Sequence, residues 1–226
     1  FYRGAMFRHE NVQKGRQRQF HQIGAEVFGF DKPDSDAEQI LLLARLWDQL
    51  GLKNINLELN TIGDPDDRVV YREKLIKYFE KNKEILDEDA LRRLHENPLR
   101  IFDSKNPKMQ SMLDSAPKLI DHLSNKAKEH FDKLCNILKD HNLEFTINTR
   151  LVRGLDYYNR TVFEWISNDL GSQGAIAAGG RYDYLVEKIG GNSTPACGFA
   201  IGVERIILLL ENLNIKNDSI LPDVYI

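Results

Sequence analysis

The sequence predicts an α+β fold, and three observations carry that reading. Apolar and polar residues alternate, as in strands, over roughly the first thirty positions and again from Phe145 to Ala178. The stretch from about Pro65 to Asn142 is lysine-rich and helical in period. Helix start and stop signals also follow the first strands. A strand-rich body interrupted by a helical insertion has this order.

Phe1 to Glu10 and Gln19 to Gly29 read as two facing strands joined by a polar, basic loop. On the second strand Gln22, Gly24 and Glu26 share one face, while Ile23, Ala25 and Val27 share the other. Burying Gln and Glu there without partners would cost on the order of a few kcal/mol, so this face is expected to meet a polar ligand. The loop carries Lys14, Arg16 and Arg18; its plainer reading is a solvated hairpin loop. From Ser35 to Gly51 the signals describe a helix, with Ser35 and Glu38 as a capping box, a stripe of Ile40, Leu43, Leu46, Trp47 and Leu50, and Gly51 as the stop. Ile55 to Asn60 alternates as a half-buried strand, and Asp64-Pro65 starts the next helix. Asn97-Pro98, Asn106-Pro107 and Ala116-Pro117 punctuate the insertion, which holds a strongly amphipathic helix from Ala127 to Leu138.

The β pattern returns at Phe145 to Thr149. Leu151 and Val152 read as a strand end, Gly154 and Asp156 as a turn, and Thr161 to Trp165 as the following strand. Arg153 is thereby placed at a strand end, where its five fixed donors suit bidentate capture of a carboxylate or phosphate beside Tyr157 and Tyr158. The alternative is an ordinary turn with a solvated arginine.

The chain has 226 residues, 31 Lys+Arg against 34 Asp+Glu and 42% hydrophobic residues, which bounds it to one or two globular domains. A formal charge of −3 gives no global attraction for nucleic acid, so any RNA contact must come from local cationic patches, contrary to a bare RNA-binding module. Two cysteines, Cys135 and Cys197, are too few for a disulfide framework or a structural zinc site. The sequence lacks an apolar run long enough to cross a bilayer and a charged-then-apolar leader, so no membrane partner and a cytoplasmic location are expected.

Phe7-Arg8-x-Glu10, the basic loop, and Arg18 to Gln22 resemble the second signature motif of class II aminoacyl-tRNA synthetases, and Gly198 to Arg205 resembles the third. Leu151 to Tyr158, with Ala178 to Tyr182, resembles the two histidine-specific motifs of the histidyl-tRNA synthetase family. The likeness covers essentially the whole chain, and the run from Arg153 to Tyr158 is highly specific to that family. It implies the class II antiparallel sheet flanked by helices, with a helical insertion. Residues 1–63 would then form the first part of the catalytic core, 64–143 the insertion lying over the tRNA acceptor stem, 144–220 the second part, and 221–226 the link toward an anticodon-binding domain. The resemblance also implies that the first motif, with its dimer interface, and the anchor for the histidine amino group lie upstream of Phe1. Such a fragment would fold marginally alone and would not charge tRNA.

The implied activity is ATP-dependent activation of L-histidine and transfer to tRNA(His), by a protein that is a homodimer at full length. A carboxylate must attack the α-phosphorus of ATP, so two anions meet and cations must be fixed along the phosphates in advance. By resemblance Arg8 holds the α-phosphate and the reacting carboxylate, Arg16 the distal phosphates, and Arg205 the adenine face and γ-phosphate. Arg153 bridges carboxylate and α-phosphate, where many class II relatives use a metal. Phe20 stacks on adenine and Glu10 accepts from its amine. Magnesium comes with ATP, and the protein itself is expected to hold no metal; Glu204 either binds that magnesium or complements a helix terminus. Glu26 and Tyr158 read the two imidazole nitrogens, Gln22 pairs with the α-amino or carboxylate end, and Tyr157 and Tyr182 line the walls. Gln13, Lys14 and Arg18 are the expected tRNA contacts. His9 and His21 are read as structural, and no side chain stands out as a base for transfer. The competing reading is a histidine-binding paralogue, the regulatory subunit of ATP phosphoribosyltransferase, whose relatives usually lose the catalytic arginine and much of the insertion.

Overall fold

The computed structural model describes residues 1–9, 11–12, 16–152 and 157–214. Strands β1 (Tyr2–Phe7) and β2 (Gln19–Phe28) form an antiparallel hairpin in which Tyr2 lies opposite Gly24 and Gly4 opposite Gln22. Helix α1 (Pro33–Gln49) follows, starting earlier than the Ser35 capping signal suggests. Lys32 is the N-cap and Pro33 pre-sets the first turn, while the Ser35 hydroxyl is engaged inside the helix, donating to Lys32 O at 2.9 Å. Gly51, at φ +67°, ends the helical segment as expected. Ile40, Leu43 and Trp47 of the α1 stripe are buried, each contributing about 1.5–3 kcal/mol of transfer free energy.

Strand β3 (Ile55–Thr61) leads to α2 (Pro65–Lys81), whose first turn is closed by the Asp64 N–H donating to Asp67 at 3.0 Å. Short 3-10 turns separate α3 (Glu88–Glu96), α4 (Gln110–Asp114) and α5 (Asn125–Asp140). The β pattern at Phe145 to Thr149 shortens to β4 (Thr146–Ile147), a two-residue strand parallel to β3. Leu151 and Val152 are not a strand end: Leu151 O accepts from Asn60 Nδ2 at 2.9 Å, so this backbone is tied to a side chain. Strands β5 (Asn159–Ser167) and β6 (Ala175–Arg181), helix α6 (Leu185–Lys188), strand β7 (Ala196–Gly202) and helix α7 (Val203–Asn212) complete the described chain.

The seven strands make one sheet in the order β1-β2-β7-β6-β5-β3-β4, antiparallel except for the β3–β4 edge. One face carries Leu57, Leu59, Phe163, Trp165, Phe199 and Ile201 and packs on α1, α5 and α7. The registers set Gln22, Gly24 and Glu26 beside Gly202, Ala200 and Gly198, and these beside Ala178 and Gly180, so the other face is small and polar at its centre. The helices between β3 and β4 build a second core around Tyr71, Leu75, Phe79, Leu94, Ile101 and Met109, and Tyr158, Val162, Tyr182 and Ala196 belong to that core. Insertion and sheet therefore share buried surface. No helix among the described residues is long and apolar enough to cross a membrane.

Candidate active site

The small-residue face is open at its centre because bulky side chains would collide there. A Cβ on Gly198 would lie 1.8 Å from Glu26 Oε2, and one on Gly24 would lie 2.4 Å from the Tyr2 ring. Around this floor the structure gathers two groups of side chains.

The first lines a cleft of about 580 Å³ that includes Arg8, Arg16, Phe20, Gln22, Glu204 and Arg205. Arg8 follows β1; its N–H donates to Arg18 O at 2.9 Å, its Nε to Gln17 O at 2.9 Å, and its guanidinium sits 4.2 Å from the centre of the Phe20 ring. Arg205, in the first turn of α7, donates to Ala175 O. Burial, and then the nearby positive charges of Arg8 and Arg16, hold its guanidinium below the ordinary arginine value, with Glu164 opposing. Three cations drawn into one cleft repel one another, and a polyanion would relieve that repulsion. Phe20 is thus covered by Arg8 in this structure, and Arg205 lines the same cleft. Glu204 accepts from the His21 backbone N–H at 2.9 Å and meets His21 Nδ1 at 2.8 Å. Burial would raise its pKa, but the His21 ring and backbone hydrogen bonds hold it below the usual carboxylate value.

The second group is aromatic. Tyr157 and Tyr158 have ring centroids 4.7 Å apart, and Tyr182 stands edge-on to both, at 5.8 and 6.3 Å. Tyr182 donates its hydroxyl to Glu26. Burial raises the pKa of Glu26, with the Tyr182 hydrogen bond opposing, so the carboxyl takes up a proton more readily than an exposed one. Burial, then the Glu26 carboxylate, raises the Tyr182 phenol. The start of α2 holds this aromatic segment in place. Arg68 donates to Tyr158 O, and Arg160 grips Asp64 in bidentate fashion at 2.9 and 3.1 Å.

Of the residues singled out from the sequence, Arg8, Arg16, Phe20, Gln22 and Arg205 share the cleft, while Glu26, Tyr157, Tyr158 and Tyr182 share the aromatic pocket. Arg18 meets the site through its backbone carbonyl beside Arg8. Glu10, Gln13, Lys14 and Arg153 lie outside the described residues. Sequence reasoning missed Tyr2 and Glu164. Tyr2 lies over Gly24, and burial, then Glu26 and Tyr158, raise its phenol, so it belongs to the aromatic pocket. Glu164 lines the cleft, and the alternation in Thr161 to Trp165 already sets it on the opposite face from Phe163 and Trp165.

Behind the pocket, on the helix face of β6, Arg181 is fully buried. Its Nη2 donates to Asp36 Oδ1 at 2.5 Å, its Nε to Asp36 Oδ2 at 3.2 Å, and its Nη1 to Asp183 at 2.9 Å. Asp36 also accepts from Thr161 at 2.6 Å and meets His130 Nε2 at 2.7 Å. Burial would raise the Asp36 pKa, but His130 and Arg181 hold it below the ordinary value. Both cysteines are free and buried, and burial pushes their thiols up to about 11 for Cys135 and about 12 for Cys197.

A family model for histidyl-tRNA synthetase matches residues 1–206. The chain belongs to the histidyl-tRNA synthetase family. It is 61% identical to the histidine–tRNA ligase of Methylobacillus flagellatus and 58% identical to that of Dechloromonas aromatica, in each case over 100% of this chain, and over 54% and 53% of those proteins. It spans about half the length of these curated relatives. The crystal structure of apo histidyl-tRNA synthetase from S. aureus is similar, with a TM-score of 0.76 and 34% identity over 96% of this chain and 52% of that one. The class II catalytic fold expected from the sequence is thereby established, with a mixed seven-stranded sheet.

Proposed function

We propose that this chain carries the adenylate-forming site of a histidine–tRNA ligase, which activates L-histidine with ATP and transfers it to tRNA(His). The observation that carries the reading is the juxtaposition, on one sheet face, of the three-arginine cleft and the pocket of Glu26 and the tyrosines. In this reading the triphosphate lies along Arg8, Arg16 and Arg205, which offset its charge before reaction and stabilise the charge that develops as pyrophosphate leaves. Phe20 offers the adenine a ring, and Glu10 accepts from its amine. Histidine lies between the tyrosines, with Glu26 accepting from one ring nitrogen, Tyr158 facing the other, and Gln22 toward the α-amino or carboxylate end. Arg153, by its motif, bridges the carboxylate and the α-phosphate. Magnesium enters with the nucleotide, and Glu204 is a carboxylate of the same cleft. Gln13, Lys14 and Arg18 face the tRNA, and the full-length protein works as a cytoplasmic homodimer.

The regulatory-subunit reading is weaker, because the curated relatives above are named as ligases and Arg8, Arg205 and the helical insertion are all present. Histidine-dependent exchange of pyrophosphate into ATP by the full-length protein tests the proposal. Exchange that requires L-histidine supports it; tight histidine binding with no exchange would point to the regulatory paralogue instead.

A further inference from the structure

The three-arginine cleft is not lined by the sheet and α7 alone. Asp103 and Lys105, which lie between α3 and α4 in the helical insertion, also line it. The same two residues and Arg16 border a neighbouring cleft with Arg93 and Arg100, so this segment forms the rim between sheet and insertion.

The segment is firmly built. Ile101 and Phe102 are buried in the insertion core, and the Ser104 N–H donates to Ile101 O at 3.1 Å. The Asn106 N–H donates to Ser104 Oγ at 3.2 Å, and Asn106 Nδ2 to Asp87 at 3.1 Å. Gln110 Nε2 closes the turn by donating to Ser104 O at 3.0 Å and Asn106 O at 2.9 Å. Ser104 and Asn106 are thus committed to the turn, while the intervening Lys105 is exposed and lines the cleft. Lys105 makes no ion pair among the described residues. A lysine ammonium is a compact point charge with three donors, suited to non-bridging phosphate oxygens.

Resting on the nucleotide reading of the cleft, we propose that Lys105 is a ligand for the β- and γ-phosphates of ATP. The triphosphate would then be gripped from both sides, by arginines of the body and by a lysine of the insertion. Binding of ATP would add a further link between the insertion and the sheet, which already share a buried core. Phosphates at the 3′ end of an RNA have the same chemistry, and the test separates the two sources.

Calorimetry on the full-length protein with a non-hydrolysable ATP analogue, AMP and histidinol, together with the KM for tRNA, decides it. Lys105→Met should weaken the ATP analogue about tenfold while leaving AMP and histidinol unchanged, as expected for one exposed charged hydrogen bond. Lys105→Arg should recover most of that affinity, and Lys108→Met, an exposed lysine outside the cleft, should bind as the unaltered protein does. Unchanged affinity of Lys105→Met for the ATP analogue overturns the proposal. If that result comes with a raised KM for tRNA, the phosphate is the RNA's. Failure of the unaltered protein to bind the ATP analogue would overturn the nucleotide reading itself, and this proposal with it.

Discussion

Replacing Glu26 by glutamine removes one negative charge from the tyrosine pocket with almost no change of shape. The space beside Gly198 is already filled to contact by the Glu26 carboxylate, and glutamine has the same outline. Tyr182 can go on donating to the remaining amide oxygen, so the fold should persist. What is lost is the charge that would accept the imidazole N–H. A hydrogen bond to a charged group contributes about 1.5–3 kcal/mol, and the half-burial of Glu26 places the loss in the lower half of that range. At 1.4 kcal/mol per decade the expected weakening of histidinol is roughly ten- to fortyfold. The ATP analogue, which would sit beyond Gln22 among the arginines, should bind unchanged. Paired calorimetric titrations of the full-length protein with the two ligands measure both. Tyr182→Phe, alone and combined with Glu26→Gln, then gives the coupling between them, expected at roughly 0.5–3 kcal/mol for groups in direct contact. Equal weakening of histidinol and ATP analogue would refute the reasoning, since Glu26 would then support the sheet rather than read the imidazole.

Arg205→Ala should weaken the ATP analogue by roughly ten- to a hundredfold and histidinol by less than twofold in the same titrations, because Arg205 lines the three-arginine cleft proposed for the triphosphate. Asp36→Asn should cost about 3 kcal/mol in urea unfolding, since it removes one of the two carboxylates that compensate the buried Arg181 guanidinium and leaves it only Asp183. The folded Asp36 carboxyl binds a proton less readily than the unfolded one, so its contribution is complete above the ordinary value of 3.8 and is lost as the pH falls through the depressed folded value. Asp36→Asn should therefore flatten the acid limb of the stability curve as well as lower its plateau. Gly179→Ala should destabilise by about 3 kcal/mol or more, because the added Cβ would lie 2.2 Å from Gly198 O and 2.9 Å from Phe199 Cα, both backbone atoms of the neighbouring strand. Gly4→Ala, with nothing within 4 Å of the added atom, should stay within about 0.5 kcal/mol in the same urea measurement.

Elements set by local chemistry were legible in the sequence: the first hairpin, the α1 stripe, the Asp64-Pro65 start of α2 and the face shared by Gln22, Gly24 and Glu26. Ser35 misled because the capping pattern was present, yet Pro33 two residues earlier already fixes the helical backbone, and the hydroxyl serves Lys32 and Arg181 instead. Leu151 and Val152 look like strand because apolar side chains follow one another there, but a side-chain amide from Asn60 takes the carbonyl. The site was readable where alternation or a motif marks it, and opaque where register decides. Tyr2 joins the pocket because it lies opposite Gly24, and Lys105 reaches the cleft from a segment whose periodicity says only that it is helical. Asp36 and Arg181 meet across 145 positions of sequence, a contact that no window of residues contains.

Arg181 and Tyr182 are neighbours on the chain whose side chains leave the sheet on opposite sides, one into the anchor with Asp36 and the other onto Glu26. A survey of every single substitution should therefore find two patches of equal intolerance, one in the pocket and one on α1 that touches no ligand. Rescue should run across the sheet: a change at Asp36 that tilts β6 would be repaired by a compensating change near Tyr182 more readily than by one elsewhere on α1.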